Sequence, residues 1–204
     1  MSENGFNGLT DAQLMFLYSS LLWSKGSYYQ GKRLLAVMEE NNRLYSITAD
    51  NPDKFNLHAN SINELTNIQK YEEDFFILAL YNMFFYLNSV SDTLSGFRRI
   101  VDDLEKVNGI GQIKDVRDMR VHIDDYIKGK GKAKERFVYE SDDELFPSKP
   151  FAEHLYEVDA TSTIIMPGAY MIGGRINFQK TLTAIEDLLP VIMKTYEKHM
   201  RFQT

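Results

Sequence analysis

Residues 115–132, DVRDMRVHIDDYIKGKGK, bring an arginine, a histidine and several carboxylates into one short helical pattern, as no other stretch of the chain does. Asp115, Asp118, His122 and Asp125 fall at i, i+3, i+7 and i+10. On a continuous helix that spacing makes one polar stripe. Asp118 and His122 are four apart, so their side chains can meet, and a carboxylate so placed can fix an imidazole's tautomer. Arg117 sits beside the stripe, about 140° around the helix from His122. The two can flank a phosphate without touching each other.

Arginine presents a planar fork that suits phosphate oxygens, and histidine exchanges protons near neutral pH. Together they are a minimal kit for metal-independent RNA cleavage. The imidazole would activate a ribose 2′-hydroxyl, and the guanidinium would stabilise charge on a phosphorane-like transition state. Other readings of the same residues stand beside this one. His122 can be structural or solvated, and Asp118–His122 a surface pair of little worth. Asp118, His122 and Asp125 also offer mixed oxygen and nitrogen ligands, but all three lie on one helix with no second ligand cluster, so neither a metal nor a cofactor is expected. Tyr126, four residues after His122, either hydrogen-bonds at the same face or anchors the helix. Lys128 and Lys130, set among Gly129 and Gly131, form a basic loop that either contacts phosphate or merely keeps the loop in water.

The run Arg117-Asp118-Met119-Arg120-Val121-His122 resembles the signature of the HEPN superfamily: an Arg, then a polar residue, a short spacer and a His, within an all-helical bundle. Arg117, Asp118 and His122 match those three positions. The longer RDMRVHIDDYIKGKG resembles an R-D-x-x-x-H-x-D-[DE]-Y-x-x-G-x-G pattern in bacterial proteins of unassigned function. The resemblance covers residues 10–130. It implies a homodimer in which the motif helices of two copies face each other across a composite cleft. It also implies either a metal-independent endoribonuclease of a toxin–antitoxin or defence system, with RNA and a cognate antitoxin as partners, or a non-catalytic binding and scaffold module.

Composition sets the outer bounds. The chain has 204 residues, 44% hydrophobic and 25% charged, which suits a single globular domain. There is no cysteine, so disulfides and thiolate chemistry are excluded and a reducing cytoplasm is the expected setting. The net charge of −6 argues against a broad basic surface for coating nucleic acid, although Arg98, Arg99, Arg117, Arg120, Lys128, Lys130, Lys132, Lys134 and Arg136 crowd the middle of the chain. The first residues lack the basic and apolar regions of a signal peptide. The longest apolar run, 75–87, is broken by Asn82 and is too short to span a bilayer.

The elements that must position the candidate residues are mainly helical. Thr10 and Gln13 form a capping box for a helix to about Ser24, with Gly26 and Gly31 as interruptions before a second helical run over 32–47. Asn51-Pro52-Asp53 reads as a loop, and Ser61 with Glu64 caps a long helix to about Asn88. Its second half, FFILALYNMFFYL, is apolar almost all round and should be the central core helix rather than a cofactor box. Ser91 or Asp92 caps a third helix, with Leu94, Phe97, Ile100, Val101 and Leu104 inward and Arg98–Asp102 and Arg99–Asp103 pairs outward. The motif helix should open at Gly111 and run to about Lys128, with Ile113, Val116, Met119 or Arg120, Ile123 and Ile127 as its apolar stripe. Beyond it, residues 136–139 and 159–166 look extended, and a small β-hairpin or meander is expected over 158–178. A last helix over 179–199 should pack back on the bundle, kinked or restarted at Pro190. The expected architecture is therefore mainly α. A bundle core occupies 9–130, a hairpin-containing extension 135–178 and a C-terminal helix 179–200, all in one domain.

Overall fold

The computed structural model describes residues 9–49, 51–132, 138–141, 156–159, 161–166 and 169–200. It is a helical bundle with a small antiparallel sheet before the last helix. Two long helices form its spine. The first, α1 (Asp11–Thr48), starts at the expected capping box: the Thr10 hydroxyl accepts from the Gln13 backbone, and the Gln13 side chain accepts from the Thr10 N–H. Gly26 and Gly31 do not interrupt it. Gly31 serves close packing instead, because a Cβ there would lie 2.6 Å from Leu182 Cδ1 and 3.1 Å from Phe76.

The second long helix, α2 (Pro52–Ser91), begins nine residues before the Ser61 cap read from sequence. Asn51 is its N-cap, with its side chain accepting from the N–H groups of Asp53 and Lys54, and Pro52 fills the first helical position. The same Asn-Pro-Asp that reads as a loop is thus a helix start. α1 and α2 run antiparallel. Asn41 meets Thr66 and Gln69, Gln30 and Arg33 meet Glu72, and Phe16 meets Tyr86. Phe76, Ile77, Leu80, Met83, Phe84 and Leu87 of α2 are buried, but Phe75, Leu78 and Phe85 of the same run are exposed, so α2 is a core helix on one face and not all round.

The third helix, α3 (Ser95–Glu105), starts later than expected, with Leu94 as N-cap and no side-chain cap. Ser91 belongs to α2, where its hydroxyl donates to the Asn88 carbonyl. Phe97, Ile100, Val101 and Leu104 are buried, and the Arg98–Asp102 and Arg99–Asp103 pairs lie on the solvent side. Asn108, buried in the next turn, ties this region to the end of the chain. It donates to Thr181 and accepts from the Asn177 N–H.

The motif segment is two helices, α4 (Ile110–Val121) and α5 (Ile123–Ile127), not one. Ile113, Val116 and Met119 are buried, but the apolar stripe ends with α4, and Ile127 is 72% exposed.

The strands are β1 (Val138–Ser141), β2 (Tyr156–Asp159), β3 (Thr163–Met166), β4 (Ala169–Ile172) and β5 (Ile176–Asn177). β3, β4 and β5 form the expected meander, with Thr163 opposite Ile172 and Met171 opposite Asn177. β1 and β2 pair antiparallel in a separate ladder. Gly173 and Gly174 turn the chain between β4 and β5 at φ 60 and 67, a region that favours glycine. Lys134, Arg136 and residues 142–155, 160 and 167–168, part of the expected extension, lie outside the described residues.

The last helix, α6 (Phe178–Met200), passes through Pro190 without restarting. Leu182, Ile185 and Ile192 are buried. It runs antiparallel to α1, with Glu186 beside Tyr28 and Lys32 and Tyr196 beside Tyr18. Among the described residues, no helix is long and apolar enough to cross a membrane.

Candidate functional site

The burial of Ile113, Val116 and Met119 fixes the rotation of α4 and sets Arg117, Asp118 and Arg120 beside its packed face. Arg120 is the anchor. Its guanidinium, 9% exposed, bonds Glu73 Oε2 at 3.1 Å and Asp74 Oδ1 at 2.7 Å, both on α2. Glu73 is 2% exposed. It also accepts from the Thr163 hydroxyl (2.7 Å), the Tyr170 hydroxyl (2.5 Å) and Gln69 (3.3 Å). A buried carboxylate is tolerable only with such a set of donors. This one joins α2, α4, β3 and β4 at a single point. Burial above all, and then the Glu73 charge, push the Tyr170 hydroxyl far above the ordinary tyrosine range and keep it protonated as a donor.

Three residues before Arg120, Arg117 is held differently. Its guanidinium lies 4.5 Å over the Tyr81 ring of α2 and donates to Asp118. Arg117 Nε is buried and, among the described residues, has no hydrogen-bond partner. About a third of the side chain remains open to solvent. The Asp118–His122 pair allowed by helical spacing does not form: the Asp118 carboxylate accepts from Arg117, and the helix breaks at His122. Among the described residues, the exposed His122 imidazole makes no hydrogen bond.

His122 is where the helix breaks, at φ −116 and ψ 34. Its N–H still bonds the Asp118 carbonyl, closing α4, and its carbonyl accepts from the N–H groups of Asp125 and Tyr126, opening α5. The single stripe from Asp115 to Asp125 therefore does not exist. In its place the turn wraps a cleft of about 380 Å3. Arg117, Asp118 and His122 line one part of it, Asp125 and Tyr126 another, and Lys130, Gly131 and Lys132 the rim. Most of the residues singled out in the sequence thus meet in one place. Asp115 and Lys128 do not line it. Asp118, His122 and Asp125 share the cleft, but among the described residues no such cluster is arranged to hold a metal ion.

A second, apolar cleft of about 250 Å3 opens on the other side of Arg117, between α2 and α4. Phe75, Leu78 and Val121 line it, and all three are exposed. Tyr71 and Phe85 continue the same exposed stripe along α2. Sequence patterning gives no sign of Tyr81, which is hidden in an apolar run that reads as core. It gives none of Glu73 as the hub either, because its partners lie far off in the chain. No protein-family model, no curated protein and no solved structure matches the chain.

Proposed function

We propose that this chain is a HEPN-like, RNA-directed protein that cleaves RNA without a metal and acts as a homodimer. The observation that carries the reading is the convergence of Arg117 and His122 on one open cleft whose rim holds Lys130 and Lys132. On a straight helix the arginine and histidine would point about 140° apart.

Neutral His122 takes the proton of a ribose 2′-hydroxyl. The 2′-oxygen attacks phosphorus, the bond to the 5′-oxygen breaks, and water protonates the departing oxygen. The products are a 2′,3′-cyclic phosphate and a 5′-hydroxyl end. Arg117, stacked on Tyr81, faces the non-bridging oxygens as charge develops there. Asp118 holds Arg117 rather than His122 in this arrangement. The apolar stripe of Tyr71, Phe75, Leu78 and Phe85, with Val121 beside it, supports a second copy docking next to the site. A toxin or defence role in the cytoplasm, restrained by a cognate antitoxin, follows from the same resemblance.

The experiment is cleavage of a generic single-stranded RNA in EDTA. His122→Ala should lower the rate by about 10²–10⁴-fold with the fold intact by circular dichroism. Unchanged cleavage rejects the assignment. The exposed stripe also favours a second reading, a non-catalytic helical interaction module. That reading gains if wild-type protein dimerises but cleaves nothing.

A further inference from the structure

The Gly-Lys turn after α5 has a fixed backbone and exposed lysine side chains. Gly129 holds φ at 68, and its N–H bonds the Tyr126 carbonyl at 3.0 Å. The N–H groups of Lys130 and Gly131 both donate to the Asp125 carbonyl, at 2.7 and 3.1 Å. Gly131 lies flat on the Tyr126 ring, where a Cβ would come within 2.5 Å of Cδ1. The Tyr126 hydroxyl then donates across the turn to the Lys132 carbonyl. Meanwhile the Lys130 and Lys132 side chains are exposed at the cleft, and among the described residues neither has a carboxylate partner. Two arginines nearby are engaged, Arg120 by Glu73 and Asp74 and Arg117 by Asp118, and Lys128, also exposed, does not line the cleft.

A turn that only kept lysines in water would gain nothing from this much backbone fixing, which costs conformational entropy. Fixing the backbone while leaving two ammonium groups without a carboxylate among the described residues, beside an arginine and a histidine, is what a receptor for an extended anion requires. We infer that Gly131 and Tyr126 are positioning residues that hold Lys130 and Lys132 as a wall for the phosphates flanking the bond that Arg117 and His122 address. The ligand class is the backbone of a single-stranded nucleic acid. The inference rests on the RNA-directed reading above and adds to it a division of labour: the α4 residues address one phosphate, and the turn addresses its neighbours.

The test is binding of a fluorescent 2′-O-methyl RNA dodecamer, which cannot be cleaved through its 2′-oxygen, by full-length protein across a salt series. Each lysine–phosphate contact to a single strand contributes about 0.7 to the slope of log K against log salt. Lys130→Ala/Lys132→Ala should therefore lower the slope by about 1.4 and weaken binding at low salt by about tenfold. Gly131→Ala should move both readouts the same way without touching a charge. Tyr126→Phe, which keeps the ring and loses only the hydroxyl, should move them less and carries the test where Gly131→Ala fails to fold. A slope change is a readout that general loosening of the fold would not produce selectively. If the lysine pair matters but Gly131→Ala and Tyr126→Phe bind as wild type, the positioning role is overturned and the RNA-directed reading stands. If RNA binds and the lysine pair has no effect, the wall is overturned. If wild-type protein binds no RNA, the reading itself falls and takes this inference with it.

Discussion

Replacing Glu73 with Gln tests whether the buried hub holds the site together. Glu73 Oε1 accepts from Tyr170 and Gln69, and Oε2 accepts from Thr163 and Arg120. A glutamine amide has one acceptor oxygen, so its NH2 must face two of these donors. The change also strips Arg120 of its buried counter-charge. Removing one partner of a buried ion pair costs about 3–5 kcal/mol. Arg120 keeps Asp74, whose side chain is 55% exposed and only partly compensates. The expected loss is therefore near the lower end, about 3 kcal/mol, a large share of the roughly 5–15 kcal/mol that holds a domain folded. Equilibrium urea unfolding measures it, and a thermal midpoint lower by about 6–12 °C should accompany it. A cycle with Arg120→Met should show a coupling of about 0.5–3 kcal/mol between the two positions. A single-mutant loss below about 1 kcal/mol, or additivity in the cycle, would refute the claim that this carboxylate joins four elements.

Other outcomes follow from the same contacts. Burial and the Glu73 charge raise the Tyr170 pKa, so above about pH 10 the unfolded chain releases a proton that the folded chain keeps. Stability from this group is full below the ordinary tyrosine pKa and is lost as pH rises past it. Tyr170→Phe should therefore be less stable near neutral pH but fall less steeply between about pH 10 and 11, by up to about 1.4 kcal/mol per pH unit; parallel urea-derived slopes would sink this. Tyr81→Leu removes the ring under Arg117 and should lower RNA cleavage by roughly two- to thirtyfold, matching about 0.5–2 kcal/mol of cation–π contact, with thermal stability little changed. Gly31→Val should destabilise by about 1–3 kcal/mol through overpacking against Leu182 and Phe76, read by denaturant midpoint. Phe75→Glu puts a charge in the exposed α2 stripe and should turn any dimer seen by light scattering into monomer; an unchanged mass would place the interface elsewhere.

What could be read from the chain, and what could not, follows from the range of the forces involved. The Thr10–Gln13 capping box, the buried face of Phe76, Leu80, Met83, Phe84 and Leu87, the α3 ion pairs and the β3–β5 meander all rest on local chemistry, and the structure has them. Asn51-Pro52 was ambiguous in kind, since the same residues make a turn or cap a helix. The break at His122 has no local mark. Neither glycine nor proline stands there, and Val121 and Ile123 continue a helical pattern. Yet the break is what gathers the candidate residues around one cleft. Spacing offers Arg120 only as an alternative to Met119 on the apolar stripe, because its partner Glu73 is 47 residues away, and Tyr170 is 97 residues from the same carboxylate. Periodicity cannot see pairs at that distance. The spacing also licensed an Asp118–His122 contact, but it presumes a continuous helix, and the chain breaks at His122 with Asp118 on Arg117.

The hub at Glu73 also imposes an order on assembly. The chain emerges from the ribosome from its N-terminal end, so α2 and α4 are available while β3 and β4 are still unmade. Until residue 170 has cleared the exit tunnel, the carboxylate that fixes the motif helix lacks two of its hydroxyl donors, Thr163 and Tyr170. A nascent chain can hold the whole Arg117–His122 motif and still lack the contacts that lock it in place. Under the RNA-directed reading proposed above, synthesis itself would then delay maturity of the site until β4 has emerged from the ribosome.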